Sequence, residues 1–196
     1  MATRNWAEGS MATKAALTWE QFLAAGKPDQ RWEYIDGEVR FMSPTGGEHG
    51  MIIHEIGLAL GALDRREWVC FGADAAFTMA DGSWLCPDAA VVRRERYPGG
   101  VIPEGPAPFP PDVAFEVRSP GDKAADVERK RYLYYRNKVI QVWVDPETET
   151  VEVVSPNRPA RYFGPEETVV IEELPGFGID LFPLHLHLKR IKDGKP

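Results

Sequence analysis

The stretch "PPDVAFEVRSP", residues 110–120, reads as a strand bound for the core with charge set into it. Side chains of a strand change face at every residue, so Val113, Phe115 and Val117 share one face while Ala114, Glu116 and Arg118 share the other. A carboxylate taken out of water without partners is strongly unfavourable. Glu116 is therefore paired, exposed, or holding something positive.

Working outward, "SPGDKAADVERKRYLYYRNK" (119–138) follows, with candidate caps at Ser119 or Asp122, acids early and bases late, the charge order a helix dipole favours. "VIQVWVDPETETVEVVSP" (139–156) then predicts a strand, a turn near Pro146-Glu147 and a second strand. Upstream, residues 94–112 are too rich in Pro and Gly for regular structure and long enough to be a functional or mobile loop. "WVCFGADAAFTMADGSWLCPDAAVV" (68–92) predicts two or three strands with a hairpin at Asp81-Gly82. Before it, "GGEHGMIIHEIGLALGALDRR" predicts a helix over 47–65 that packs across a sheet. "RWEYIDGEVRFMSP" carries an Asp36-Gly37 turn between two apolar-containing arms, a strong hairpin signal. Thr18 is a plausible N-cap for "WEQFLAAG", closed by Gly26. After 160 the pattern is short strands and loops, ending in an alternating "LHLHLK" that fits an edge strand. The whole predicts an α/β fold with a mixed sheet.

With 196 residues, 43% hydrophobic and 27% charged, the chain suits one compact domain. Gly9-Ser10 before Met11 resembles a cloning junction, so residues 1–10 are set aside as a leader and the domain is expected over 11–196. Cys70 and Cys86 form no CxxC or Cys/His cluster, which argues against a disulfide framework or a zinc site and fits a reduced, cytoplasmic setting. No apolar run nears the roughly 20 residues that span a bilayer, and no membrane association is expected. The net charge of −7, from 30 acidic against 23 basic residues, argues against a non-specific nucleic-acid coat but leaves room for a local basic cleft.

Two Pro-Asp dipeptides open apolar runs, at Asp88 and Asp112. Asp112 precedes Glu116 on the same strand by about 13 Å, too far for one ion to take both carboxylates. Asp88 belongs to another strand and can stand beside Glu116 at the roughly 4.8 Å spacing of neighbouring strands. These two carboxylates, with the Val117 carbonyl, would make a hard oxygen site of the kind Mg²⁺ or Mn²⁺ prefers. Such an ion polarises a phosphate and activates a bound water. Lys130 lies one helical turn from Val127 and Tyr134 and is favoured as the catalytic cation, although Arg131 is nearly as well aligned. Arg118 is a candidate phosphate contact or partner of Glu116. The bland alternative keeps Glu116 and Arg118 as an ion pair on a solvent-facing side, with Asp88 and Asp112 as turn residues after proline.

Other candidates are weaker. His54-Glu55 begins like HExxH, but Leu58 stands where the second histidine belongs. His49 and His54 lie about 140° apart around a helix, which disfavours joint ligation. His185 and His187 share a strand face, a pair more often surface decoration than a metal site. No GxGxxG, GxxxxGK[ST] or GxSxG occurs, so nucleotide-fold and serine-hydrolase readings fall away.

"WEYIDGEVRFMSPTGGEHG", "CPDAAVV", "VAFEVRSPGD" and "ERKRYLYYRNKVIQVWVDPETETVEV", in that order over about residues 18–182, resemble the Uma2 (DUF820) family of the PD-(D/E)XK restriction-endonuclease-like superfamily. The resemblance implies a mixed central sheet flanked by helices, with Asp88 as the Pro-Asp ligand and Glu116 as the acid of the (D/E)xK element. Arg118 stands where the superfamily pattern writes Lys, and the lysine supplied instead from the next helix points to Lys130. Glu33 would be an additional acid near the metal. Ser43 and His49 fall in the matching N-terminal stretch with no role derived.

The expectation that follows is a Mg²⁺- or Mn²⁺-dependent endonuclease acting on DNA, with Arg118, Arg129 and Arg131 contacting phosphates. One alternative is a catalytically silent nucleic-acid or protein-binding module on the same fold; another is a hydrolase of a smaller phosphate ester, favoured by the acidic net charge. A homodimer is expected, because cutting two strands often takes two sites.

Overall fold

The computed structural model describes residues 18–24, 31–42 and 44–182. The "LHLHLK" segment, His185 and His187, Gly26, Ser43 and the leader 1–10 lie outside them.

The chain opens with α1 (Trp19–Ala24), whose first turn is closed reciprocally: Gln21 N–H donates to Thr18 Oγ1 (3.2 Å) and Thr18 N–H to Gln21 Oε1 (2.9 Å). Strands β1 (Trp32–Ile35) and β2 (Glu38–Phe41) form the expected hairpin, with Asp36 (φ 55°) and Gly37 (φ 81°) in the left-handed region its turn needs. Next comes α2 (Gly47–Leu60). It stops short of the expected residue 65 because Asp64 starts a turn of its own, accepting Arg66 N–H on its side chain (2.8 Å) and Trp68 N–H on its carbonyl (2.9 Å).

Then follow β3 (Trp68–Phe71), β4 (Phe77–Thr78), β5 (Trp84–Leu85), β6 (Ala89–Arg93) and β7 (Val113–Val117). Residues 94–112 are irregular apart from two short 3₁₀ turns, yet they are fastened at their end by Asp112, which takes Arg93 N–H (2.8 Å) and pairs with Arg96 (3.0 Å). Helix α3 (Ala124–Arg136) begins later than the caps at Ser119 or Asp122 predicted. Asp122 closes the preceding loop instead, accepting Ser119 N–H (2.9 Å) and Arg118 Nε (3.3 Å). The remaining strands are β8 (Ile140–Asp145), β9 (Thr150–Val154), β10 (Arg161–Phe163), β11 (Val169–Val170) and β12 (Gly178–Ile179).

The central sheet is six-stranded and mixed, in the order β10-β9-β8-β7-β6-β3. Only β7 and β8 run parallel, with α3 as their crossover, while the other pairs are antiparallel. The two hairpins build a second sheet, β2-β1-β5-β4.

Alternation assigns the faces of the large sheet. Val113, Phe115 and Val117 pack with Ile52 and Ile56 of α2. Ala114 and Trp143 pack with Val127, Leu133 and Tyr134 of α3. β7 lies inside the sheet and every residue of it is buried, so Glu116 is a buried charge on the α3 side, not half of a solvent-facing pair. In β1 the same rule sends Trp32 and Tyr34 into an aromatic cluster with Phe22 and Trp84, and turns Glu33 the other way.

Candidate functional site

Four charged groups meet where β1, the start of β6, β7 and α3 converge. Glu116 and Lys130 are almost wholly buried, and so are Glu33 and Asp88. Lys130 Nζ lies 2.9 Å from the Glu116 carboxylate and 3.0 Å from Glu33 Oε1. Tyr134, one turn on along α3, donates its hydroxyl to Glu116 Oε1 at 2.6 Å. Glu33 Oε1 also accepts the Cys86 N–H at 3.0 Å. The hairpin carrying Glu33 is thereby tied to the segment leading into β6.

Asp88 stands just before β6, beside β7: its N–H donates to the Phe115 carbonyl (3.0 Å) and its Oδ2 accepts the Val117 N–H (2.9 Å). Oδ1 faces Arg31 and His49. Arg31 Nη2 is 3.5 Å away, with Arg31 Nε on Asp74, and His49 Nε2 is 3.3 Å away. His49 is buried in the first turn of α2 and its Nδ1 lies 3.0 Å from Ser119 Oγ. The Nε2 approach is close but off the line of a well-formed hydrogen bond.

Protonation follows from this crowding. Burial, with Asp88 and Glu33 nearby, pushes the Glu116 carboxyl up to about 7, against the pull of Lys130 and Tyr134. Burial alone would lower Lys130, but Glu116 and Glu33 outweigh it and the ammonium is held above its ordinary range. Burial likewise opposes ionisation of Asp88, yet the nearness of His49 and the Val117 N–H keep it below the usual carboxylate range.

Among the described residues, no three His, Cys, Asp or Glu side chains form a ready metal cage, because Glu116 is turned to Lys130 and Tyr134. The donor chemistry fits a hard divalent cation all the same. Three buried carboxylates lie close together, Glu116 and Glu33 on Lys130 and Asp88 with Arg31 at 3.5 Å, and burial with the neighbouring acids keeps Glu116 reluctant to ionise unless a cation joins it. Asp88 and Glu116, with the Val117 carbonyl, are the groups that would hold it.

Folding favours the protonated form of Glu116, so that stabilisation is lost as pH climbs from the ordinary carboxylate range to about 7. A cation must displace this proton. Mn²⁺ binding followed by calorimetry should tighten about tenfold per pH unit up to about pH 7 and level off above it.

The three arginines expected at phosphates do not converge on this cluster. Arg118 is engaged by Asp122 (3.3 Å). Arg129 joins α3 to both hairpin turns through Asp36 and Asp81. Arg131 pairs with Glu152 (2.7 Å) and lies over the Trp143 ring (4.5 Å). Periodicity left Arg131 and Lys130 nearly equivalent, and the packing turns Lys130 inward. Sequence reasoning gave no role to His49, Tyr134 or Arg31, whose partners are far away in the chain. The sequence signal available for Tyr134 was its spacing of four residues from Lys130 on a helix.

Comparison with known proteins agrees with this architecture. The model of the Uma2 family, described as "Putative restriction endonuclease", matches residues 19–182. The crystal structure of a "putative nuclease belonging to DUF820" from Anabaena variabilis superposes with a TM-score of 0.73 at 22% identity, covering 85% of this chain and 97% of that one. No curated protein matches. Among the described residues no helix is long and apolar enough to cross a membrane. With a restriction-endonuclease-like mixed sheet flanked by helices, and a family match over most of its length, this chain belongs to the Uma2 family.

Proposed function

We propose that this chain is a Mg²⁺- or Mn²⁺-dependent endonuclease that hydrolyses phosphodiester bonds in DNA. The observation that carries the reading is Lys130, a permanently charged ammonium held between Glu116 and Glu33 with Asp88 beside them. A divalent ion on Asp88, Glu116 and the Val117 carbonyl would supply Lewis acidity to the phosphate and lower the pKa of a bound water. Lys130 then orients the attacking water or a phosphate oxygen as a point charge. Glu33 keeps the ammonium aimed, and Tyr134 fixes the Glu116 carboxylate through its hydroxyl. His49 and the Val117 N–H keep Asp88 ionised. Water attacks phosphorus, the bond to the leaving oxygen breaks, and that oxygen takes up a proton. Because cutting both strands takes two sites, the reading includes a homodimer.

Supercoiled DNA incubated with Mg²⁺ or Mn²⁺ should become nicked or linear, and chelation should stop the reaction. A second reading is favoured by two observations: Lys130 and both glutamates already satisfy one another, and Arg118 stands where the superfamily pattern has Lys. On that reading the chain is a silent binding module. Salt-sensitive DNA binding with no cleavage on supercoiled, linear, single-stranded or branched DNA would select it.

A further inference from the structure

Beside the charged cluster a cleft of about 750 Å³ opens between α1 and the loop at 102–107. Arg31 and Cys86 line it, and both also touch the site: the guanidinium reaches Asp88 at 3.5 Å and the Cys86 N–H holds Glu33 at 3.0 Å. Its walls carry Trp19, Trp32, Phe71 and Tyr97. The loop passes close to the Trp19 indole at Gly105, where a Cβ would fall 2.7 Å from Trp19 Cδ1. Tyr97 is 4% exposed, and among the described residues its buried hydroxyl has no hydrogen-bond partner.

The chemistry of the cleft excludes a phosphate and suits a neutral ring. Arg31 is the one cation among its described lining residues, and Asp74 and Asp88 already engage it. The other charges are the carboxylates of Asp74 and Glu104, which accept hydrogen bonds and repel anions. Aromatic walls and carboxylate acceptors match a nucleobase, whose faces stack and whose edge carries N–H donors. The space is far too small for a duplex.

We infer that this cleft receives an unpaired nucleobase next to the phosphate held at the site, so that the chain acts on single-stranded, flapped or locally opened DNA. The inference rests on the nuclease reading for its substrate, but its test does not need cleavage.

In EDTA, a short single-stranded oligonucleotide should bind and quench tryptophan fluorescence, because Trp19 and Trp32 line the cleft. An abasic oligonucleotide of equal length, with all the phosphates and no bases, should bind about tenfold more weakly and leave the fluorescence unchanged, as should the matching duplex. Ala76→Trp, which fills the cleft and adds a fluorophore of its own, is read by affinity instead, and should bind base-bearing and abasic strands equally. Exposed Glu104→Gln, which leaves the fold alone and removes a charge that repels phosphates, should tighten base-bearing and abasic strands by the same factor, so that the preference for bases persists. Equal binding of abasic and base-bearing strands, a duplex that quenches as well, or no quench with any oligonucleotide would overturn the inference. Metal-dependent cleavage indifferent to Ala76→Trp and equally fast on duplex would overturn it while leaving the nuclease reading intact. Base-dependent quenching without cleavage under any metal would do the reverse.

Discussion

Glu116→Gln should leave a folded protein whose DNA cleavage is slower by on the order of a thousandfold. The amide has the shape of the carboxyl, and its oxygen can still accept the Tyr134 hydroxyl that now lies 2.6 Å from Glu116 Oε1. Lys130 keeps Glu33 at 3.0 Å. The fold therefore loses one charge from a place where charge is crowded, and the raised Glu116 carboxyl shows that folding already prefers the neutral form there. Thermal denaturation at neutral pH should show a midpoint no lower than that of the parent. What disappears is the anionic oxygen that would share a cation with Asp88. Loss of cleavage with unchanged stability and weakened Mn²⁺ binding is the expected combination. Activity that survives in the variant would remove Glu116 from the site.

Lys130→Ala should lose activity and stability together. Without the ammonium, Glu116 and Glu33 face each other across a dry interior, and breaking one side of a buried pair typically costs about 3–5 kcal/mol. The deficit grows as pH rises and shrinks in acid, where Glu116 takes up a proton, and with the pull of Lys130 gone Glu116 keeps that proton to a higher pH than in the parent. Lys130→Met, which keeps the stem and its packing, should recover part of the packing loss and none of the turnover. Denaturant unfolding of both variants at two pH values separates the charge contribution from the volume. Cleavage near the parent rate in Lys130→Met would reassign the catalytic cation.

The parts of the fold legible in the sequence are those set by local rules. Asp36-Gly37 shows its turn because so few residues accept positive φ, and the alternation of 113–117 shows its strand because side chains change face at each step. The errors lie where a side chain had two local options. Ser119 and Asp122 looked like helix caps, but Asp122 turns back to hold the N–H of Ser119, three residues before it, and the helix opens only at Ala124. Asp64 ended α2 early by the same kind of competition. At the site, the Asp88 strand could be placed from strand spacing, and Lys130 could be narrowed to one of two. Arg31 and His49 reach Asp88 from distant segments, and no periodicity within one element encodes that meeting.

The pairings within the cluster also differ greatly in the length of chain they close. Lys130 and Glu116 are 14 residues apart, joined through the strand and crossover helix that carry them, while the Cys86 N–H and Glu33 are 53 apart. Loop-closure entropy rises with that separation, so the strand–helix pair condenses first and the hairpin bearing Glu33 docks onto a partly formed nucleus. Until it docks, Lys130 has a single acidic partner. Docking of that hairpin and completion of the site are thus one event, and amide protons of β1 should gain protection later than those of β7 and β8.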